Sequence, residues 1–182
     1  MTAFSFTFAH HPDEHDFAAS AQLASEGDTL ALGARIAGTL VPGLNRLNIW
    51  LEGGLGSGKT TLVRGILRAL GHTGPVKSPT YTLIELYVVS GIILYHFDFY
   101  RLANPEEFLD AGLDEYFSGA GIRLVEWPRQ AAPCLAAPDI IITLMARNDG
   151  RQATIQAKTE AGRICIHQLT GRTISQRTAP PG

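Results

Sequence analysis

The sequence predicts an α/β fold in which helices flank a mixed central sheet that includes β-hairpins. A short apolar run, "RLNIWLEGG", is followed by a Gly-rich turn and an amphipathic helical segment, which is the strand–turn–helix order of an α/β domain. Two later pairs of β-rich runs meet at the hairpin turn signals Ser90-Gly91 and Asn148-Asp149-Gly150. The chain has 182 residues, of which 45% are hydrophobic, so it is long enough for one domain with a full core.

Composition limits the classes of function. The formal net charge is −2, so the chain lacks the basic excess of a protein that holds a long nucleic acid by itself. Cys134 and Cys165 lie far apart in the sequence, which is typical of reduced thiols rather than of a disulfide or a metal site. The N-terminus lacks the pattern of a signal peptide, and no window is apolar enough to span a membrane. We therefore expect a soluble cytoplasmic protein.

The pattern at each end of the chain predicts the domain boundaries. Residues 1–27 are weakly patterned, although "FSFTF" alternates as a strand would, and are predicted to form a partly flexible N-terminal extension. Residues 28–169 are predicted to form one domain. From residue 170 onward the chain is polar, contains Pro180-Pro181, and is predicted to be disordered.

Two helices are predicted in the first half of the domain. The first begins at Asp28 or Thr29, either of which can cap it, and ends at Pro42-Gly43. The second is "TTLVRGILRALGH", which ends at Gly71. Apolar spacing predicts inner faces made of Leu30, Ala34, Ala37 and Leu40 in the first helix and of Leu62, Ile66, Ala69 and Leu70 in the second.

The remaining elements are predicted to be mostly strands. "LIELYVVSGIILYHFDFY" forms an antiparallel hairpin, and a third helix opens at Asn104-Pro105 with acids in its first turn. "GIRLVEW" is a short buried strand that ends at Pro128, and "DIIITLMA" and "RQATIQAKT" form a second hairpin. "GRICIHQL" is expected to add one more strand. The third helix is predicted to bury Phe108, Leu109, Leu113, Tyr116 and Phe117.

A phosphate-binding loop follows the first buried strand. "GGLGSGKT" matches G-x-x-x-x-G-K-[ST] in full and lies between a strand and a helix, as the P-loop NTPase fold requires. Glycines let the backbone approach an anion, and successive N–H groups at a helix N-terminus cradle phosphate oxygens. Lys59 is predicted to reach the β and γ phosphates, and the Thr60 hydroxyl to ligate Mg²⁺. The predicted nucleotide-binding set is Gly53, Gly54, Leu55, Gly56, Ser57, Gly58, Lys59, Thr60 and Thr61.

Two carboxylates are predicted at the ends of buried strands. Asp98 ends "IILYHFD" and Glu126 ends "GIRLVE", and ligands of open α/β sheets bind at the carboxyl ends of strands. Both are candidates for metal or water contacts, since Mg²⁺ at a P-loop usually has a second protein carboxylate. The alternative is that each carboxylate caps a loop. His96 shares the face of Asp98, and either an assisting or a purely structural role is open for it.

The segment "KSPTYTL" occupies the position of a nucleotide-sensing switch. It follows the P-loop helix and precedes a strand that is antiparallel to the next one, as the first switch does in Ras-like GTPases. Ser78, Thr80 and Thr82 offer hydroxyls, and Pro79 stiffens the loop. The chain has no N-K-x-D guanine motif. Asp98 is followed by Phe-Tyr-Arg, whereas the D-x-x-G motif of GTPases has glycine in the third position after the aspartate. Adenine is therefore the expected base.

Four motifs in this order and spacing, "GGLGSGKTT", "VKSPTYTL", "HFDFYRL" and "LVEWP", closely resemble the TsaE (YjeE-type) family, the ATPase component of bacterial tRNA threonylcarbamoyladenosine biosynthesis. The resemblance runs from about Thr29 to about residue 160. It implies a P-loop fold, binding of ATP and Mg²⁺, and weak ATPase activity by the chain alone. It also implies TsaD- and TsaB-type partners, which install threonylcarbamoyl on adenosine 37 of ANN-decoding tRNAs. ATP binding and hydrolysis by this component would support repeated turnover by those partners.

The resemblance also implies residue roles. Thr60 and Glu126 would hold Mg²⁺, with Asp98 as a Walker-B-like acid of the same metal site. Lys59 and Thr80 would join the two carboxylates in the catalytic set, with Thr80 in the switch-like loop from Lys77 to Leu83.

The adenine contact and the tRNA contact are less closely specified. In the family, an acidic residue and a threonine before the first helix lie near the adenine, and "GDTLALG" offers Thr29 for this contact. Because the net charge is slightly negative, tRNA is expected to be reached through the partner complex.

Two other functions are weighed against the ATPase hypothesis. A small-molecule kinase would need an acceptor pocket and a mobile lid, and the hairpin at Ser90-Gly91 leaves little chain for them. A nucleotide-sensing module without hydrolysis would not need the two carboxylates Asp98 and Glu126 at strand ends. Arg101 is the one arginine near these motifs that is considered as an arginine finger.

Overall fold

Within the part of the chain that the structure describes, eight strands form one mixed sheet, and helices cover both of its faces. The computed structural model describes residues 6–10, 17–40, 46–147 and 149–171. Along the sheet the strands lie in the order β1-β2-β8-β7-β3-β6-β5-β4. The strands are β1 Phe6–His10, β2 Phe17–Leu23, β3 Arg46–Glu52, β4 Ile84–Val89, β5 Ile92–Asp98, β6 Gly121–Glu126, β7 Ile140–Arg147 and β8 Gly150–Ala157. The helices are α1 Glu26–Ala37, α2 Lys59–Ala69, α3 Glu106–Asp110 and α4 Glu160–Thr170, and 3₁₀ turns occupy Leu113–Phe117 and Pro128–Gln130.

The four central strands run parallel, and this arrangement places the site. β3 lies between β6 and β7 and is parallel to both, and β5 is parallel to β6. Their carboxyl ends therefore meet at one edge of the sheet, where ligands of α/β proteins bind. Asp98 of β5 and Glu126 of β6 are register partners at this edge.

Two buried clusters hold the sheet between its helical layers. The larger cluster combines apolar residues of α1, α2 and α4 with the strand residues that face them, such as Leu47, Ile49 and Leu124. The smaller cluster, on strand residues of opposite parity, is rich in phenylalanine. Its buried members include Phe97, Phe99, Phe108 and Phe117. β5 and β6 are thus packed on both sides.

A pair of glycines brings α1 and α2 close together. A Cβ on Gly33 would lie 2.5 Å from the carbonyl oxygen of Leu62, and a Cβ on Gly65 would lie 2.4 Å from that of Leu30. Only glycine permits backbones to approach this closely. The contact fixes α2, whose N-terminus carries the phosphate-binding loop.

Most predicted elements are confirmed. The strand before the phosphate-binding loop, the helix after it and the short strand ending at Glu126 lie where the sequence predicts them. Both hairpins form, with β4 antiparallel to β5 and β7 antiparallel to β8. Gly71 has φ 100°, as expected for the residue that ends α2.

The predicted strand "GRICIHQL" is wrong, because this segment forms α4. The Thr159 hydroxyl accepts from the Gly162 amide over 3.3 Å as the N-cap, and Gly171 ends the helix with φ 70°. Cys165, Ile166 and Leu169 are buried at helical spacing. The alternation of apolar residues that suggested a strand is too short to compete with these caps.

The predicted start of the first helix is also wrong. Ser25 is the N-cap of α1: its hydroxyl accepts from the Asp28 amide over 3.1 Å, and the Asp28 carboxylate accepts from the Ser25 amide over 2.9 Å. This reciprocal pair is a capping box. Asp28 and Thr29 therefore lie in the first turn, and Thr29 belongs to the buried face. The predicted end at Pro42-Gly43 lies outside the described residues.

Several side chains predicted to face inward do not. α3 stops after five residues, and Gly112, with φ 67°, separates it from the following 3₁₀ turn, so the third helix is not continuous. Phe108, Leu113 and Phe117 are buried as predicted. The residues predicted as inward-facing that are half-buried or exposed are Leu30, Ala34, Ala69, Leu70, Leu109 and Tyr116.

The N-terminal boundary predicted at Asp28 is corrected by the sheet. β2 pairs with β8, and Ala19, Ala21 and Leu23 belong to the larger buried cluster. Residues 17–27 are therefore part of the domain. The prediction of disorder after Thr170 falls mostly on residues 172–182, which lie outside the described ranges. None of the described helices has the length and apolar run that a bilayer crossing would need.

Candidate functional site

A cleft of about 270 Å³ opens where β3, β5 and β6 end. The phosphate-binding loop and the N-terminus of α2 form one wall, and the switch-like loop and the two strand-end carboxylates form the other. The lining residues are Leu55, Gly56, Ser57, Gly58, Lys59, Thr60, Thr61, Ser78, Thr80, Asp98, Tyr100, Glu126 and Trp127. The structure thus brings together most of the residues that the sequence predicted for the site.

Two glycines shape the loop around the cleft. Gly53 has φ 140°, and a Cβ there would lie 2.4 Å from the carbonyl oxygen of Leu144. Gly58 has φ 104° and is the N-cap of α2. Residues that carry a side chain rarely adopt these backbone conformations, so the curved form of the loop requires glycine at both positions. Gly53 and Gly54 border the neighbouring pockets and are not among the residues that line this cleft.

Lys59 is buried at the base of the cleft. Its Nζ donates to the carbonyl oxygens of Gly53 and Gly54 over 2.8 and 3.0 Å, and it lies 4.1 Å from the ring centroid of Trp127. Burial lowers the pKa of the ammonium group, and the carboxylates Glu126 and Asp98 partly oppose this shift. The ammonium is therefore held inside the loop, within reach of an anion that enters it.

Glu126 joins the P-loop helix to the sheet. The Thr60 hydroxyl donates to its Oε1 over 2.8 Å, and Nε2 of His96 lies 2.9 Å from the same oxygen. His96 is fully buried, and Glu126 is nearly so. Since a hydroxyl has lone pairs as well as one hydrogen, Thr60 can donate to Glu126 and still offer its oxygen to a cation.

Asp98 holds the switch-like loop against the sheet. The hydroxyls of Ser78 and Thr80 both contact its Oδ2, the second over 2.8 Å, and its Oδ1 accepts from the Tyr100 amide over 2.9 Å. The two hydroxyl oxygens are 2.6 Å apart. Each hydroxyl has one hydrogen. When both hydroxyls donate to Asp98, both hydrogens are used in these two bonds. Thr82, the third predicted hydroxyl, is exposed and is not among the residues that line the cleft.

The oxygens in the cleft fit Mg²⁺. Thr60, Glu126 and Asp98 supply hydroxyl and carboxylate oxygens, the ligand type that this cation prefers. Among the described residues no group of three or more His, Cys, Asp or Glu side chains forms a complete metal cage. A P-loop site needs no such cage, because Mg²⁺ is held there by few protein ligands together with substrate phosphates.

Trp127 also lines the cleft. It adopts φ 57° directly after β6 and packs on Tyr100 with ring centroids 5.0 Å apart. Together with its contact to the Lys59 ammonium, this places an aromatic wall opposite the loop. Its position directly after Glu126 places it near the site in the sequence, but the sequence does not indicate the orientation of its ring.

Arg151 was missed by sequence reasoning. Its Nη1 donates to the Thr29 hydroxyl over 3.3 Å and would lie 2.3 Å from a Cβ built on Gly58. The guanidinium therefore rests against the outer side of the phosphate-binding loop. Thr29 is fully buried and reaches the loop only from behind, and it is not among the lining residues.

Arg101 lies away from the lining of the cleft. Its guanidinium stacks 4.4 Å from the ring centroid of Tyr81 and donates to the Tyr81 hydroxyl over 3.1 Å. Tyr81 is 84% exposed. The Arg101–Tyr81 pair lies on the outer surface of the switch-like loop, and neither residue lines the cleft. The geometry therefore does not support Arg101 as an arginine finger for the site of this chain.

Comparisons with known proteins agree with the motifs. A family model described as threonylcarbamoyl adenosine biosynthesis protein TsaE matches residues 23–154. The tRNA threonylcarbamoyladenosine biosynthesis protein TsaE of Haemophilus influenzae is 45% identical over 118 residues, which cover 65% of this chain and 75% of the relative. The protein of the same name from a Nostoc species is 42% identical over 138 residues, covering 73% and 82%. The crystal structure of YdiB from Bacillus subtilis superimposes with a TM-score of 0.69 at 27% identity, covering 94% of this chain and 98% of that one.

Proposed function

The chain belongs to the TsaE family of tRNA threonylcarbamoyladenosine biosynthesis proteins, and from that premise we propose that it is a Mg²⁺-dependent ATPase that supports a TsaD–TsaB-type complex. Proteins of this family have a P-loop fold and take part in the synthesis of threonylcarbamoyladenosine in tRNA. Membership of the family therefore implies that the chain binds a nucleotide. We further propose that the nucleotide is ATP, that the intrinsic rate of hydrolysis is low, that the protein is cytoplasmic, and that it contacts tRNA indirectly through its partners. The observation that carries the proposal is the convergence of the P-loop, Asp98, Glu126 and Thr80 on one cleft.

The phosphates of ATP are proposed to bind in the loop from Gly53 to Thr60. Backbone N–H groups and the positive end of α2 attract the phosphate oxygens. Lys59 exchanges its bonds to loop carbonyls for bonds to the β and γ phosphates, which are stronger because both partners are charged. Thr61 lines the same wall. Thr29 is proposed to support the adenine side from behind Gly58.

Three oxygen-bearing side chains are proposed to hold the metal. Thr60 offers its hydroxyl oxygen, and Glu126 and Asp98 offer carboxylates at the ends of adjacent strands. Bound Mg²⁺ would neutralise charge on the transferred phosphoryl group. The protein's own contribution is to hold these oxygens in place before the nucleotide arrives, as electrostatic catalysis requires.

Asp98 and the switch-like loop are proposed to report the state of the nucleotide. Ser78 and Thr80 contact Asp98, so any ligand that draws Asp98 or Thr80 into new bonds must break or share these contacts. Loss of the γ-phosphate would remove this competition and return Ser78 and Thr80 to Asp98, which would change the surface that a partner meets. Lys59 is the cation that the described chain contributes to the cleft. We propose that a partner supplies further positive charge, which gives slow hydrolysis until the complex forms.

Recovery of partners in each nucleotide state tests this function. The tagged chain is used to capture proteins from its native cell with ATP and, separately, with ADP, and Lys59→Ala serves as the control bait. We expect proteins of tRNA threonylcarbamoyladenosine synthesis to be recovered by the wild-type chain in a manner that depends on the nucleotide. Recovery of no tRNA-modification protein in either state would contradict the proposal.

A further inference from the structure

His96 is fully buried beside the cleft, and the proposed mechanism does not use it. It lies on β5, two residues before Asp98 and on the same face of the sheet. Its Nε2 is 2.9 Å from Oε1 of Glu126. Because an ionised carboxylate can only accept, Nε2 carries the hydrogen and donates.

The other ring nitrogen argues against a role in packing alone. Nδ1 of His96 is buried and has no hydrogen-bond partner among the described residues. An unpaired polar atom in the interior costs free energy that a leucine or phenylalanine at the same place would not incur. The benefit of a histidine here therefore lies in its one bond, the bond to Glu126.

That bond acts on the oxygen that also receives Thr60. The Thr60 hydroxyl and Nε2 of His96 both bond the same carboxylate oxygen, Oε1 of Glu126. Glu126 is fixed in rotation by two donors from two different elements, α2 and β5. A carboxylate fixed in this way in turn fixes the direction of the Thr60 hydrogen, and hence of the lone pairs that Thr60 offers to a cation.

We propose that His96 is a positioning residue of the metal site: it orients Glu126, and through Glu126 it orients Thr60 for Mg²⁺ bound with a nucleotide. The inference rests on the proposed function, because it assigns His96 to the metal site of that mechanism. Outer-shell partners of metal ligands act in this manner, and their loss typically lowers metal affinity by roughly 10- to 100-fold.

The test separates metal binding from phosphate binding. The affinity for ADP is measured by calorimetry in EDTA and in saturating Mg²⁺ for the wild-type chain, His96→Leu and His96→Gln, and thermal melting verifies that each is folded. In EDTA, His96→Leu should bind ADP with an affinity within about twofold of the wild-type value. Mg²⁺ raises the affinity for ADP, and in His96→Leu this increase should be smaller by roughly 10- to 100-fold. His96→Gln retains an N–H donor and should recover most of that loss. The matched control is His72→Leu, since His72 packs against Tyr87, is not among the lining residues of the cleft, and should change neither affinity.

The outcomes distinguish this inference from the proposed function. If the wild-type chain shows no Mg²⁺-dependent nucleotide binding, the proposed function fails and the role of His96 fails with it. If wild-type binding depends on Mg²⁺ but His96→Leu behaves like wild type, or loses equal affinity with and without Mg²⁺, the inference about His96 alone is overturned. Should His96→Leu not fold, the ring ¹⁵N resonances of His96 in the wild-type chain decide. They should show an Nε2–H tautomer and shift when Mg²⁺ is added to the ADP complex, and an unchanged spectrum would overturn the inference.

Discussion

The Thr80 hydroxyl donates to Oδ2 of Asp98 over 2.8 Å, and this bond ties the loop between α2 and β4 to the carboxyl end of β5. Two backbone bonds support the same closure: the Leu83 amide donates to the Pro79 carbonyl, and the Asp98 amide donates to the Leu83 carbonyl. Leu83 adopts φ 64°, an unfavourable conformation for its side chain. The loop is therefore built into the cleft as one of its walls.

Removal of the Thr80 hydroxyl should separate binding from its consequences. Thr80→Val keeps the shape of the side chain but cannot bond Asp98. We expect ATP affinity to stay within about twofold, because the bond that is lost joins Thr80 to Asp98 and lies outside the phosphate-binding loop. Hydrolysis, or its stimulation by the partner complex, should fall. The comparison is with Thr82→Val, which alters an exposed hydroxyl in the same loop and should behave as wild type; equal behaviour of both variants would make the loop a simple connector.

Loss of Lys59 should weaken ATP binding directly. Lys59→Ala removes charge-assisted contacts worth about 1.5–3 kcal/mol, which corresponds to a roughly 10- to 150-fold lower affinity. The measurement is an ATP titration by calorimetry. Lys77→Ala, at an exposed lysine that does not line the cleft, is the control and should bind normally. An unchanged titration with Lys59→Ala would remove the phosphate assignment.

The lowered pKa of Lys59 predicts a pH dependence of binding. Burial favours the neutral amine, so the free protein loses this proton below the ordinary pKa of 10.5. Bound phosphates favour the ammonium form. ATP affinity should therefore be fully present below the lowered pKa, fall as pH rises through it, and be accompanied by proton uptake in that range. Calorimetry in buffers of different ionisation enthalpy measures the uptake, and Lys59→Met should abolish it. A wild-type affinity that is flat up to pH 10.5 would show that the ammonium does not contact the phosphates.

The two strand-end carboxylates should matter more for hydrolysis than for binding. Asp98→Asn and Glu126→Gln keep the size of each side chain and remove its charge. We expect ATP turnover to fall by roughly 100-fold or more, because charge stabilisation by a catalytic metal is worth several kcal/mol. Glu115→Gln, at an exposed acid in the 3₁₀ turn after α3, is the control. Normal turnover in both Asp98→Asn and Glu126→Gln would exclude them from the metal site.

The sequence predicted the parts of the site that local motifs encode. The P-loop, the two strand-end acids and the switch-like loop each occupy a few consecutive residues, and the strand–loop–helix order fixes where they meet. The contact of Ser78 and Thr80 with Asp98 was not predicted; it forms because the antiparallel hairpin β4–β5 returns the chain to the loop.

The rest of the site depends on contacts between distant segments. Arg151 reaches Thr29 across 122 residues of sequence, and no local pattern indicates such a pair. Arg123 is a similar case: it is fully buried and donates to the carbonyls of Tyr116, Gly119 and Gly121, holding the turn before β6. An arginine inside a strand predicts exposure, and only the fold shows that nearby carbonyls satisfy it.

The errors in the helices have local causes. Ser25 and Asp28 fit a capping-box pattern in the sequence, but they lie in the segment that the weak patterning of residues 1–27 predicts to be a flexible extension. In α4, Ile164, Cys165 and Ile166 suggested a strand, whereas the Thr159 cap and Gly171 at the end favour a helix. In both cases the residues that end the element carried more information than the apolar run within it.

Turnover of the reconstituted system tests the central claim most directly. The amount of threonylcarbamoyladenosine formed per TsaD–TsaB-type complex is followed over time with ATP, together with phosphate release, in the presence of the wild-type chain or of Lys59→Ala. We predict more than one product per complex, and faster phosphate release than from the chain alone, only with the wild-type chain. If the complex turns over equally well without this chain or with Lys59→Ala, the claim that its ATP site supports the modification is contradicted.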